Sequence, residues 1–137
     1  MSDATTAEAV TAVRALVAGH ATFAEGLVSA VEQITGRGAL LRPVSVTGLG
    51  AEDIERMLRG LMEETGARVI FTDLQAGSCS MAGRRILRGV PDAVLICGTN
   101  LPVLLDFVFA DAVPAPQAAR HAAERGRAAI SVQGAGA

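Results

Sequence analysis

Apolar residues along this chain fall into short blocks separated by glycine, proline and charged positions. Val10 to Ala18 is an apolar segment that runs into Gly19-His20, and it predicts a first strand. Phe23, Leu27, Ala30, Val31 and Ile34 then recur at helical spacing, and Gly36 ends that helix. Thr22 and Glu25 precede it as T-x-x-E, the spacing of a capping box in which each side chain satisfies an orphan amide. Leu40 to Val46 predicts a second strand; Pro43 cannot donate to a ladder, so an edge position is expected. Ile54, Leu58 and Leu61 mark a second helix behind Glu52 and Asp53, which suit a positive helix start. Residues 68–72 predict a third strand, and Ala76-Gly77-Ser78 a turn into a short helix through Arg88. Residues 93–98 predict a fourth strand and 101–109 a helix. Pro116 opens a last helix to about Arg125, and Ala128 to Val132 reads as a final strand.

Strands alternating with helices imply an α/β fold, a single three-layer domain with a mainly parallel central sheet and helices on both faces. With no internal repeat or low-complexity linker, one domain over 13–137 is expected, behind an N-terminal extension over 1–12. In such sheets ligands bind outside the carboxyl ends of the strands, where the winding direction switches. Three polar clusters fall at those ends: Gly19-His20, Thr72-Asp73 and Thr99-Asn100. The last strand, flanked by glycines, could reach a neighbour's sheet. The apolar helix 101–109 is expected to need more cover than one small domain provides, so a homodimer is anticipated.

Composition narrows the chemistry. Half of the 137 residues are hydrophobic, which excludes disorder. The longest apolar stretch, Leu101 to Ala115, is interrupted by Asp106, Asp111 and Pro114 and is too short to span a bilayer. The opening residues lack the basic start and apolar block of a signal peptide, so a cytoplasmic location is expected. A net charge of −2 leaves no nucleic-acid footprint. Cys79 and Cys97 have neither CxxC spacing nor companion ligands, and read as reduced, partly buried thiols; no metal or cofactor is expected. All twelve basic residues other than histidine are arginine. Without lysine there is no Schiff base and no P-loop, which argues against direct use of a nucleotide.

His20 lies just ahead of a helix start, where free amides favour an anion and push imidazole toward its neutral, nucleophilic form. Such a ring needs a partner on its other nitrogen, and Asp73, at the end of an adjacent strand, is the available carboxylate. Gly77, Ser78 and the amides of their turn could hold phosphate oxygens. The ordinary alternatives stand beside this reading: a structural histidine, a solvated Asp73, and Ser78 as a helix cap. His121, among Arg120, Glu124, Arg125 and Arg127, reads as surface. Arg84, Arg85 and Arg88 read as a solvated face that could also meet an acidic partner.

Three segments resemble the mannose-type IIA family (mannose/sorbose/N-acetylgalactosamine) of the sugar phosphotransferase system. Gly19-His20-Ala21-Thr22-Phe23, running on to Ile34-Thr35-Gly36, is similar to the family's opening motif. Phe71-Thr72-Asp73-Leu74-Gln75-Ala76-Gly77-Ser78 is similar to its second, and Gly98-Thr99-Asn100-Leu101-Pro102 to its third. They stand in register over about residues 13 to 109. The resemblance implies that His20 is phosphorylated on Nε2 by phospho-HPr. Asp73 would orient it through Nδ1, and Ser78 would lie on the phosphate side. A IIB subunit would then receive the phosphoryl group for a sugar entering through IIC and IID. It also implies a homodimer that exchanges a C-terminal strand, here 128–132. A regulatory phosphocarrier uncoupled from transport, and the phosphoryl donor subunit of a dihydroxyacetone kinase, share the fold; the Asn-Leu-Pro segment argues against the latter. Where the family usually has Gly-His-Gly this chain has Ala21, and where it has Gly-Gly-Ser/Thr-Pro and an aromatic this chain has Ala76, Gly77, Ser78, Cys79 and Ser80. Those changes alter the rim at which a partner would dock.

Overall fold

Every residue of the first strand, β1 (Ala15–Gly19), is buried, as a strand covered on both faces must be. Its alternation divides the core of the computed structural model, which describes residues 12–136. Ala15 and Val17 face one layer of helices, and Leu16 and Ala18 face the other. The chain continues through α1 (Phe23–Thr35), a short 3-10 turn (Gly38–Leu40), β2 (Leu41–Ser45), α2 (Ala51–Thr65), β3 (Val69–Thr72) and α3 (Ser78–Gly89). It ends with β4 (Val94–Cys97), α4 (Leu101–Phe109) and α5 (Ala115–Ala128).

The sheet order is β2-β1-β3-β4, and every pairing is parallel. The winding therefore steps from β1 to β2, returns across β1 to β3, and continues outward to β4. Right-handed crossovers place helices of opposite step direction on opposite faces. Accordingly Val31 of α1 packs with Leu104, Phe107 and Val108 of α4 and Ala118, Ala119 and Ala122 of α5. Ile54, Leu58 and Met62 of α2 pack with Cys79, Ala82 and Ile86 of α3 on the other face. Phe71 of β3 meets Phe107 edge-on, with ring centres 5.1 Å apart. Pro43 lies in β2, an edge strand, as its missing amide requires.

Several expectations are corrected. The first strand begins at Ala15; residues 10 and 11, and nearly all of the expected extension 1–12, lie outside the described residues. No capping box forms at α1. Phe23 N–H donates to the His20 carbonyl at 2.9 Å, and this turn gives Thr22 a ψ of 18° instead of an extended backbone, so its side chain makes no capping bond. Ile34, expected on the buried stripe of α1, is 59% exposed. Helix α5 runs past Arg125 to Ala128, and 129–136 contain no strand. The alanine-rich sequence continues the helix, with Arg125 and Arg127 complementing its carboxyl end. Finally, α4 needs no outside cover: α1 and α5 bury its Val103, Leu104, Phe107 and Val108, and Phe109 alone of its large side chains stays mostly exposed.

Candidate active site

The reversal of winding between β1 and β3 opens a crevice at their carboxyl ends, and each strand ends in one polar residue there. His20 follows Gly19 of β1, and Asp73 follows Thr72 of β3. The His20 ring Nδ1 lies 2.7 Å from Asp73 Oδ2, and the His20 backbone N–H donates to the same oxygen at 2.9 Å. Burial of the Asp73 carboxyl opposes its ionisation. The hydrogen bonds from the His20 ring and amide outweigh this and hold it below the usual carboxylate range. An ionised carboxylate only accepts, so this contact calls for Nδ1–H, and a neutral ring in that tautomer has its lone pair on Nε2. The His20 side chain is 66% exposed while that of Asp73 is 10% exposed, so the imidazole faces solvent beside a sheltered carboxylate.

Glycine makes this approach possible. A Cβ on Gly19 would lie 3.0 Å from Asp73 Oδ2 and 2.6 Å from the Phe23 ring. On the other side, Gly77 opens α3 with φ 114°, and a Cβ there would lie 3.9 Å from His20 Cε1. The ring thus rests between the start of α1 and the start of α3, and the first amides of a helix have no partner within it. Ser78, the first residue of α3, is exposed and lines with His20 a pocket of about 410 Å³ that also includes Val46, Thr47, Leu49 and Cys79. Burial pushes the Cys79 thiol up to about 11, with the Asp73 charge adding to it, so a neutral thiol lies beside the pair. Among the described residues no group of three or more His, Cys, Asp or Glu could hold a metal ion.

A family model described as "PTS system fructose IIA component" (EIIA-man) matches residues 14–124. The chain belongs to the mannose-type IIA family of the sugar phosphotransferase system. The fold of this IIA protein is similar to that of a mannose/sorbose specific IIA subunit from Enterococcus faecalis, with TM-score 0.75 and 14% identity over 90% of this chain and 96% of that one. It is also similar to the phosphotransferase system component EIIA from Streptococcus agalactiae, with TM-score 0.74 and 17% identity over 88% and 96%. A phosphotransferase system permease structure from Klebsiella pneumoniae gives TM-score 0.73 and 22% identity over 90% and 92%. At these identities the likeness is one of fold. No curated protein matches the chain.

The geometry of this IIA protein brings His20, Asp73, Gly77 and Ser78 to one crevice. It does not bring in Thr99 and Asn100, the third expected cluster. Thr99 N–H donates to the Thr72 carbonyl at 3.0 Å. Asn100 caps α4 by accepting from Val103 N–H at 3.1 Å, and its amide donates to the Gly126 carbonyl of α5 at 3.0 Å. Both tie elements together. Ala21, which replaces the family's second glycine, adopts a left-handed φ of 47°, a conformation that explains why glycine is the usual residue. Sequence reasoning missed the close approach that Gly19 allows, although its place at a strand end was a signal. His121, read as surface, is exposed but also meets a carboxylate, Asp106 Oδ2, at 3.0 Å. It sits inside α5, away from any helix start.

Proposed function

We propose that this chain is the phosphoryl-carrier IIA subunit of a phosphoenolpyruvate-dependent sugar phosphotransferase system, with His20 as its acceptor. The observation that carries this is the 2.7 Å Nδ1 to Asp73 contact at the sheet's switch point, between two helix starts. The Nε2 lone pair attacks the phosphorus of phospho-HPr while the donor's P–N bond breaks and its histidine leaves. Asp73 keeps the proton on Nδ1 and offsets the positive charge that the ring acquires. Amides at the start of α3, with Ser78 and Gly77, receive the phosphoryl oxygens. The reverse geometry delivers the group to a IIB subunit serving IIC and IID. Positioning and electrostatics supply most of the catalysis in such transfers. Cytoplasmic placement and a homodimer exchanging its C-terminal segment belong to the same reading; among the described residues no helix is long and apolar enough to cross a membrane.

The test is phosphorylation with phosphoenolpyruvate, enzyme I and HPr. A single phosphoryl group per chain is expected, labile to acid and stable to base, as a phosphoramidate is. His20→Ala should abolish the label and His121→Ala should leave it, even though His121 has its own carboxylate. Acid-stable label, or label persisting in His20→Ala, would sink the reading.

A further inference from the structure

Asp73 can orient His20 only if its own backbone is held still, and the structure contains a buried device at that point. Thr72 and Ser80 are 0% and 1% exposed. Their hydroxyl oxygens lie 2.7 Å apart. Ser80 Oγ also donates to the Leu74 carbonyl, from which Thr72 Oγ1 lies 3.3 Å away. The two hydroxyls therefore close a triangle on the peptide group that comes shortly after Asp73. The peptide group before Asp73 is held as well, because the Thr72 carbonyl accepts from Thr99 N–H of the β4–α4 loop. Asp73 is thus anchored on both sides, from α3 and from beyond β4.

Ser80 is the third residue of α3, and a serine there would ordinarily be free or bonded within its own helix. Here its hydroxyl leaves the helix to grip a carbonyl six positions earlier. A buried hydroxyl must find a partner, and both of these partners flank the carboxylate that holds His20. We propose that the Thr72–Ser80 hydroxyl pair is a positioning device that fixes Asp73 and, through it, the Nδ1–H tautomer of His20. This rests on the reading of Asp73 as the orienting partner. The pair touches neither phosphate nor the reacting nitrogen; its effect runs through the Asp73 backbone. It also gives a role to Ser80, which from sequence stood only as a departure from the family's aromatic residue.

The experiment reads the tautomer directly, without phosphotransfer. Ring nitrogen shifts of the full-length 15N-labelled protein are recorded at about pH 9, well above the ordinary imidazole value of about 6.5. In the wild type, His20 should show the Nδ1–H form. Thr72→Val, which keeps the side-chain shape, and Ser80→Ala should each move His20 toward the Nε2–H form. The double variant should go little further than either single one, since both remove the same bridge. Ser80→Thr should restore the wild-type spectrum. Phosphoryl uptake should fall in step in the single variants, by on the order of tenfold. His121, on a different carboxylate, is the internal control and should not change. Folded Thr72→Val and Ser80→Ala proteins that keep the Nδ1–H form would overturn the inference, as would a change shared by His121. A wild-type His20 lacking that form would instead overturn the reading of Asp73, so the two failures are distinct.

Discussion

Asp73 meets both the ring and the backbone amide of His20 through one carboxylate oxygen. Its carboxyl is partly withdrawn from water, which alone would raise its pKa, yet two hydrogen bonds from His20 reverse the sign. Replacing it with alanine removes a hydrogen-bonding carboxyl at a strand end and no large apolar side chain. Asp73→Ala should therefore melt close to wild type by circular dichroism, while phosphorylation of His20 slows at least about tenfold, ~1.4 kcal/mol of barrier. Unchanged transfer would mean that Asp73 is not the partner. The depressed carboxyl also sets a pH dependence. Its contribution to stability is complete above the unfolded value of about 3.9, and it is lost as pH falls below that through the lower folded value. The small difference between the thermal melts of wild type and Asp73→Ala at neutral pH should vanish in acid over that window.

Among the helices, two glycines carry opposite consequences. Gly60 lies mid-way along α2 with open space around it, whereas a Cβ on Gly126 of α5 would fall 1.9 Å from Val103 Cγ2 and 2.9 Å from Asn100 Oδ1 of the α4 start. Alanine in a helix interior gains up to about 1 kcal/mol over glycine. At Gly60 nothing opposes that gain, and Gly60→Ala should raise the melting temperature by about 2–4 °C. At Gly126 the overpacking cost of about 1–3 kcal/mol or more exceeds it. Gly126→Ala should lower the melting temperature by roughly 5–10 °C, since α4 and α5 would have to separate where Asn100 joins them. Equal shifts in the two variants would refute the close approach of these helices.

Across the protein as one body, the sheet ends at β4 among the described residues, where the strand is only partly covered after Val94, and beyond α5 Ile130 and Val132 are 74% and 78% exposed. A groove of about 420 Å³ runs along β4, lined by Leu95, Ile96 and Ile130 together with Arg84, Asn100 and Arg127. A strand edge and an apolar tail without a partner among the described residues suit pairing with a second copy. Light scattering at micromolar concentration should give a dimer, and deletion of residues 129–137 should give a monomer or an aggregate. A monomeric intact protein would remove strand exchange, leaving the tail to some other partner.

The order of elements, the sheet's edge strand at Pro43 and the pairing of His20 with Asp73 were legible in the chain itself. Each rests on short-range pattern or on a residue type that only one environment suits: a short apolar block, a missing amide, an imidazole beside the one strand-end carboxylate that can meet it. The course of the chain beyond Arg125 was not legible, because alanine and arginine favour helix locally and a strand there would need a partner that a single chain does not supply. Thr99 and Asn100 looked like a third part of the site by position, and only packing against Gly126 and Thr72 assigned them to the framework. Asn100 could cap a helix or face a ligand with the same side chain. Tertiary structure likewise decided the burial of Ser80 against Thr72 and the close fit of Asp73 over Gly19, since a hydroxyl or a missing Cβ acquires meaning only when distant segments meet.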